Sequence, residues 1–199
     1  MVAKKKITLN RRDVVSRIVR ERGDMLMVTG LGSTTWDAEA AGDHPNNFYL
    51  WGGMGGAAVT GLGLARAQPD RRVIVLTGDG EMLMGIGTLA TAAVAASPNF
   101  AICVIDNQHY GETGMQETHT GHGVDLPGMA AAAGFAQTMT VWNEKELEAA
   151  MPVLYQAKGP VFVAIKVNTN AVPMTLPMRD GTAIRARFRE SVLGGGAYD

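Results

Sequence analysis

Short apolar runs alternate along the chain with segments that have the period of an amphipathic helix. Strands are predicted at 25–29, 48–51, 73–76, 100–105, 137–141 and 161–167, and helices at 10–22, 55–68, 85–96 and 143–157, with a shorter helix capped by Asp125. The apolar runs do not alternate with polar residues, which is typical of parallel strands buried on both faces. The order of elements predicts an α/β fold, a doubly wound and mainly parallel sheet with helices on both faces.

One domain over residues 1–168 is expected, followed by a C-terminal tail at 169–199 that holds a short helix. The 199 residues carry 18 Lys and Arg against 19 Asp and Glu, a net charge of −1, which argues against nucleic-acid binding through a basic surface. The single Cys103 lies in an apolar run and is expected to be a buried thiol. The apolar runs are too short to span a membrane, and a cytoplasmic protein is predicted.

Glycines and polar residues concentrate where three of the predicted strands end, at 29–35, 78–81 and 106–111. Ligands of such sheets bind at the carboxyl ends of the strands. The glycines at 78–81 expose backbone N–H groups, and the helix predicted from Gly85 directs its positive end to the same place, which suits a phosphate. Asp79 would repel a phosphate, unless a cation such as Mg²⁺ bridges them.

A second oxygen ligand is available at the next strand end, where Asn107 supplies a side-chain carbonyl. Gly-Asp-Gly alone is also a common tight turn. Its combination with Asp106-Asn107 after the following strand is more specific, and it predicts a site for a metal ion and a diphosphate.

This combination resembles the signature of thiamine-diphosphate enzymes, in which Gly-Asp-Gly is followed by about two dozen residues and Asn-Asn; here 25 residues separate Gly80 from Asp106. Asp106 stands where the family pattern has the first Asn, which is a common departure from that pattern. The resemblance implies that Asp79, the Asn107 side chain and the His109 main-chain carbonyl bind Mg²⁺. It also implies that backbone N–H groups bind the diphosphate and that further residues of the two motifs contact the cofactor; these residues are Gly78, Gly80, Glu81, Met82, Tyr110 and Gly111.

Two upstream segments resemble other parts of the same cofactor site. The segment 51–55 is similar to the one that bends the cofactor, which implies that Met54 supports the thiazolium ring and that the Gly52 carbonyl accepts a hydrogen bond from the 4′-amino group. A core methionine is the alternative for Met54. Ser33 and Thr34 are similarly implied to contact the terminal phosphate, with a helix cap as the alternative.

The stretch from Asp106 to Thr120 is similar to the β subunits of sulfopyruvate decarboxylase and to the matching half of phosphonopyruvate decarboxylase. This resemblance implies a subunit of a 2-oxo acid decarboxylase. Three alternatives stay open: a carboligase of the acetolactate-synthase kind, the β chain of a 2-oxo acid:ferredoxin oxidoreductase, and a regulatory module that binds thiamine diphosphate without catalysis.

The resemblance also implies a partner, because these enzymes take an activating glutamate from a separate pyrimidine-binding domain. We therefore expect an α subunit, an α₂β₂ or larger assembly, and no activity from this chain alone. Four aromatic residues are expected either at that contact or in the core, namely Trp36, Phe48, Tyr49 and Trp51. Gln116, Thr118 and His119 are hypothesised to bind a small anionic 2-oxo acid, with a solvated histidine as the alternative.

Overall fold

The computed structural model describes residues 6–198. The strands are β1 (Leu26–Thr29), β2 (Asn47–Tyr49), β3 (Val73–Gly78), β4 (Phe100–Asp106), β5 (His109–Tyr110), β6 (Gln116–Glu117), β7 (Gln137–Val141) and β8 (Val161–Lys166). In this part of the chain, six strands form one parallel sheet in the order β2-β1-β3-β4-β8-β7. The order reverses direction beside β1 and β3, as in doubly wound folds, so the predicted α/β fold is confirmed.

The helices are α1 (Arg11–Glu21), α2 (Ser33–Ala40), α3 (Ala57–Ala67), α4 (Asp79–Met84), α5 (Thr88–Ala95), α6 (Leu126–Ala133), α7 (Glu144–Gln156) and α8 (Gly181–Leu193). Three of them begin at side-chain caps: Asn10 accepts from the N–H of Arg12, Asn143 from that of Glu146, and Asp125, as predicted, from that of Gly128. These caps fix the residue at which each helix begins.

Three segments differ from the predictions. Residues 33–40, where no helix is predicted, form α2, whose buried positions include Thr34, Thr35 and Asp37 and therefore show no apolar stripe. The helix expected from Gly85 begins at Thr88, and the six-residue α4 precedes it, too short to show a helical period. Residues 107–124, where no strand is predicted, contain the antiparallel β5–β6 hairpin.

The core consists of two apolar layers, one on each face of the sheet. Helices α1, α2 and α7 cover one face, and α3, α5 and α6 cover the other. The central strands β3, β4 and β8 are buried on both faces, which explains their unbroken apolar runs. Cys103 lies in β4 and is fully buried, as predicted, and burial raises the pKa of its thiol.

Helix α8 packs at the edge of the sheet beside β2, where the rings of Phe188 and Phe48 meet edge-to-face at 5.4 Å. The division into a domain at 1–168 and a tail at 169–199 stays a prediction. None of the helices in residues 6–198 has the length and hydropathy needed to cross a membrane. A cytoplasmic location also stays a prediction.

Candidate functional site

A cavity lies at the carboxyl ends of β1, β3 and β4, where the sequence predicts the site. Most of the residues singled out by sequence line it: Ser33, Thr34, Met54, Gly78, Asp79, Gly80, Glu81, Asn107, His109, Tyr110 and Gly111. Six further residues line it: Leu31, Gly32, Glu112 and Thr113 lie in segments that the sequence singles out without a role for them, and Arg11 and Ile105 were missed. Arg11 comes from a helix distant in sequence, and its position shows only after the helix has packed beside α2.

Asp79 is the first residue of α4 and is almost fully buried. Its Oδ2 accepts a short hydrogen bond from the Thr118 hydroxyl and lies 3.1 Å from the Thr120 hydroxyl. Both threonines follow the β5–β6 hairpin. Burial, together with the neighbouring Asp106, raises the pKa of Asp79 to about 6. The Thr118 hydroxyl, with the Thr120 hydroxyl beside it, therefore orients the Asp79 carboxylate.

Asn107 follows β4, and its side chain is held by the turn that it begins. Its Oδ1 accepts from the N–H of His109 at 2.9 Å, and its main-chain oxygen lies 2.9 Å from Nδ1 of His109. Gln108 between them has a positive φ of 64°. This turn brings Asn107 and His109 to the cavity that Asp79 also lines.

The start of α4 offers backbone N–H groups to the cavity. The N–H groups in the first turn of a helix have no partner within it, and those at residues 80–82 belong to this turn. Gly80 is covered by the ring of Tyr110, since a Cβ on Gly80 would lie 2.4 Å from Cε1 of that ring. Gly85, after α4, approaches the carbonyl oxygen of Gly55, where a Cβ would come within 2.1 Å.

Residues 30–165 match the family described as thiamine pyrophosphate enzyme, C-terminal TPP binding domain. The chain belongs to this family. The resemblance seen in the Gly-Asp-Gly and Asp-Asn motifs is thereby confirmed.

Relatives of known name match over nearly the whole chain. Sulfopyruvate decarboxylase subunit beta of Methanothermobacter thermautotrophicus is 34% identical over 186 residues, which are 94% of this chain and 97% of that protein. Phosphonopyruvate decarboxylase of Streptomyces hygroscopicus is 33% identical over 82% of this chain and 41% of that protein. The thiamine diphosphate-dependent 4-hydroxybenzoylformate decarboxylase of Rhodococcus jostii RHA1 shares the fold, with a TM-score of 0.68 at 21% identity over 83% of this chain and 34% of that one.

The side chains of the TPP-binding domain suit a hard cation that is shared with a diphosphate. In residues 6–198 there is no group of three or more His, Cys, Asp or Glu side chains that could hold a metal ion by themselves. Asp79 and Asn107 supply one carboxylate and one amide oxygen on neighbouring strand ends. Mg²⁺ commonly takes one or two protein ligands and completes its shell with phosphate oxygens and water. The donor set therefore fits magnesium diphosphate better than a metal held by protein ligands only.

Glu81 is buried beneath the same cavity. Its Oε2 accepts from the Thr77 hydroxyl at 2.7 Å, and it occupies the space where a side chain on Gly30 would lie, 1.5 Å from that Cβ position. Burial raises the pKa of Glu81 more than this hydrogen bond lowers it. The Glu81 side chain thus packs the ends of β1 and β3 together.

Met54 is 39% exposed and lines the cavity, which is not the setting of a core methionine. Four residues implied by the sequence do not line the cavity: Gly52, Met82, Gln116 and His119. Gly52 has a positive φ of 75°, and Met82 is buried in the core, so only their backbone groups are available for the predicted roles.

The residues hypothesised to bind an anionic substrate are not brought together. Gln116 is exposed and bonds Thr113 within the hairpin, and His119 is exposed in a 3₁₀ turn. Thr118 is fully buried behind Asp79, so its assignment to the substrate is wrong. A substrate role for Gln116 and His119 stays a prediction.

Of the four aromatic residues expected at a subunit contact or in the core, one is buried and three are half-buried. Tyr49 is buried and donates to Asp43 at 2.8 Å, and Phe48 packs on Phe188. Trp51 is half-buried, and its Nε1 donates to the carbonyl of Met178 at 2.9 Å. Trp36 is half-buried as well. The core alternative holds for Tyr49 and Phe48, and exposed apolar side chains lie elsewhere.

Proposed function

We propose that this chain is the diphosphate-binding β subunit of a thiamine-diphosphate-dependent 2-oxo acid decarboxylase, which acts with a separate pyrimidine-binding α subunit. The observation that carries the proposal is the end-to-end match with proteins named sulfopyruvate decarboxylase subunit beta. The placement of Asp79 and Asn107 at one cavity supports it independently.

In this proposal Asp79, Asn107 and the His109 carbonyl hold Mg²⁺. The N–H groups of 80–82 and the hydroxyls of Ser33 and Thr34 bind the diphosphate oxygens. Bound thiamine diphosphate supplies an electron sink for the loss of CO₂ from a 2-oxo acid. Met54, at the mouth of the cavity, supports the bent cofactor, and the Gly52 carbonyl orients its amino group.

The partner supplies the activating glutamate, so the chain by itself is inactive. The designation of the relatives as beta subunits supports a second subunit. Two exposed apolar side chains lie near each other: Met54 lines the cavity, and Met84 packs against Gly55, the residue after Met54. We propose that the α subunit covers this surface in an α₂β₂ or larger assembly.

The proposed substrate is a small anionic 2-oxo acid of the sulfopyruvate or phosphonopyruvate kind, which are the substrates in the names of the relatives. The test begins with an affinity pull-down of this chain from its native cells in the presence of Mg²⁺ and thiamine diphosphate. The purified complex and the chain alone are then assayed for CO₂ release from both acids.

We expect CO₂ release only from the complex, and a loss of at least about 100-fold in kcat/KM for Asp79→Asn, because the cofactor loses its cation. Asp70→Asn, at an exposed position, is the control and should leave the rate unchanged. A homo-oligomer recovered alone, or a complex inactive on both acids, would contradict the proposal.

A carboligase is the second candidate, because the acetolactate synthase isozyme 1 large subunit of Escherichia coli is 29% identical over 71% of this chain and 28% of that protein. The same assay separates the two reactions by the product. An aldehyde supports the decarboxylase, whereas an acyloin formed from two substrate molecules would favour the carboligase. A product that requires coenzyme A and an electron acceptor would favour an oxidoreductase.

A further inference from the structure

Lys166 lies at the carboxyl end of β8, directly beside Asp106 at the end of β4. Its Nζ is 2.5 Å from Oδ2 of Asp106, and the two side chains are 9% and 2% exposed. The ring of Trp142 lies 5.5 Å from the same ammonium group. The lysine is therefore buried against one carboxylate and one aromatic face rather than extended into solvent, as lysine side chains generally are.

A chain of contacts leads from this ion pair to Asp79. The other oxygen of Asp106, Oδ1, lies 2.8 Å from the Thr120 hydroxyl, which is also 3.1 Å from Oδ2 of Asp79. The Thr118 hydroxyl is 3.0 Å from that of Thr120 and bonds the same oxygen of Asp79. Lys166 thus belongs to the network that orients the proposed magnesium ligand.

The charges of this network explain why a lysine is needed. Asp106 stands where the family pattern has a neutral asparagine, so this chain buries an additional carboxylate beside Asp79. A buried charge without a counter-ion is strongly destabilising. Lys166 provides the counter-ion from the neighbouring strand, at the one register position that faces Asp106.

We propose that Lys166 is a positioning residue of the cofactor site, which neutralises Asp106 and thereby permits an aspartate in place of the asparagine of the family pattern. The inference rests on the proposed function where it concerns magnesium. It has a consequence that runs against expectation: Asp106→Asn, which restores the family residue, is harmful as long as Lys166 is present.

The experiment compares Asp106→Asn, Lys166→Met and the double variant with the wild type. Lys158→Met in the Asp106→Asn background is the matched control, because Lys158 is exposed. The first readout is the unfolding midpoint of the full chain without cofactor. The second is the Mg²⁺ concentration that half-saturates the rise of this midpoint at fixed thiamine diphosphate, measured with the chain alone and with its co-purified partner.

We expect each single variant at 106 or 166 to lower the midpoint by about 5–10 °C, because each leaves a buried charge unpaired. The double variant should recover most of this loss. Asp106→Asn should raise the half-saturating Mg²⁺ concentration about tenfold, since an unpaired ammonium repels the cation. In the Asp106→Asn background, Lys166→Met should bring this Mg²⁺ concentration back to within about threefold of the wild-type value. Lys158→Met in the same background should not.

The unfolding midpoints test the pairing of Lys166 with Asp106, and the Mg²⁺ titration tests the positioning role of Lys166. Midpoint losses that simply add in the double variant would overturn the pairing of Lys166 with Asp106. Recovered midpoints with no recovery of Mg²⁺ binding would reduce Lys166 to a structural residue and overturn its positioning role. If Mg²⁺ and thiamine diphosphate did not raise the wild-type midpoint even with the partner, the proposed function would be wrong, and the midpoints alone would decide the pairing.

Discussion

The ring of Tyr110 lies against the backbone of Gly80 at the start of α4. Gly80 follows the proposed metal ligand Asp79 and carries one of the N–H groups proposed to bind the diphosphate. A side chain at 80 would displace either the ring or the helix start. At this position the lack of a side chain is what lets the hairpin close on the site.

We predict that Gly80→Ala raises the thiamine diphosphate concentration needed for half-maximal thermal protection about tenfold or more, because the methyl group moves the binding groups apart. Gly87→Ala is the control, since a Cβ there has no atom within 4 Å. Thermal shift titrations at fixed Mg²⁺ make the comparison. Equal protection of the two variants would show that Tyr110 yields without disturbing the site.

Single residues of the site were accessible from sequence to different degrees. Asp79 and Asn107 were identified because their motif has a fixed spacing and a plain chemical reason. The supporting roles of Thr120 and Lys166 were not, because they arise from distances of 2.8 Å and 2.5 Å across loops and strands that are remote in sequence. Nothing in the local pattern of residues 118–120 indicates that two hydroxyls turn inward to a carboxylate.

At the scale of elements, helix α3 packs closely on the sheet through Gly61. A Cβ on Gly61 would lie 2.1 Å from Cγ2 of Val75 and 3.3 Å from the ring of Phe100. Gly63, two residues further along the same helix, has open space at its Cβ position. The two glycines therefore have opposite effects on stability. Gly61 permits close packing of α3 on the sheet, whereas Gly63 only weakens the helix.

We predict that Gly61→Ala lowers the free energy of unfolding by about 1–3 kcal/mol, because the methyl group overpacks the helix against β3. Gly63→Ala should raise it by about 0.5–1 kcal/mol, through the higher helix propensity of alanine. Urea unfolding of the two variants and the wild type, with m-values compared, provides the measurement. A stabilising Gly61→Ala would mean that α3 shifts outward at little cost.

The elements with an apolar stripe or an apolar run were predicted, and those without one were missed. Helix α2 buries threonines and an aspartate, and Asp37 is held there by ion pairs with Arg11 and Arg12. These ion pairs come from another helix, so they leave no periodic pattern of apolar residues in the sequence of α2. Helix α4 follows β3 directly, and its six residues are too few to show the period of an amphipathic helix.

At the scale of the whole molecule, Asp43 ties α8 to the turn after α2. Its carboxylate accepts hydrogen bonds from Arg187 and from the Tyr49 hydroxyl. Burial alone would raise the pKa of Asp43, but these hydrogen bonds outweigh it and the pKa is lowered. Since the folded form holds the proton more weakly than the unfolded form, the contact contributes stability above the ordinary value of 3.8 and loses it as the pH falls through the folded-state value.

We predict that Asp43→Asn lowers the unfolding midpoint at pH 7 by a few degrees, and that the difference from wild type shrinks below about pH 4. Asp70→Asn, at an exposed loop position, should show no such pH-dependent difference. Thermal unfolding between pH 3 and pH 7 tests this. A difference that stays constant with pH would assign the effect to packing rather than to the ionised carboxylate.

The sequence by itself determined the doubly wound sheet and the place of the site, because apolar runs, caps and the spacing of Asp79 and Asn107 are local features of the chain. Only the tertiary structure decided which side chains support that site. Thr118, Thr120 and Lys166 reach Asp79 and Asp106 because the hairpin folds back and β8 pairs in register with β4. Hydrogen bonds and ion pairs act over a few ångströms in space, whereas a sequence pattern records only neighbours along the chain.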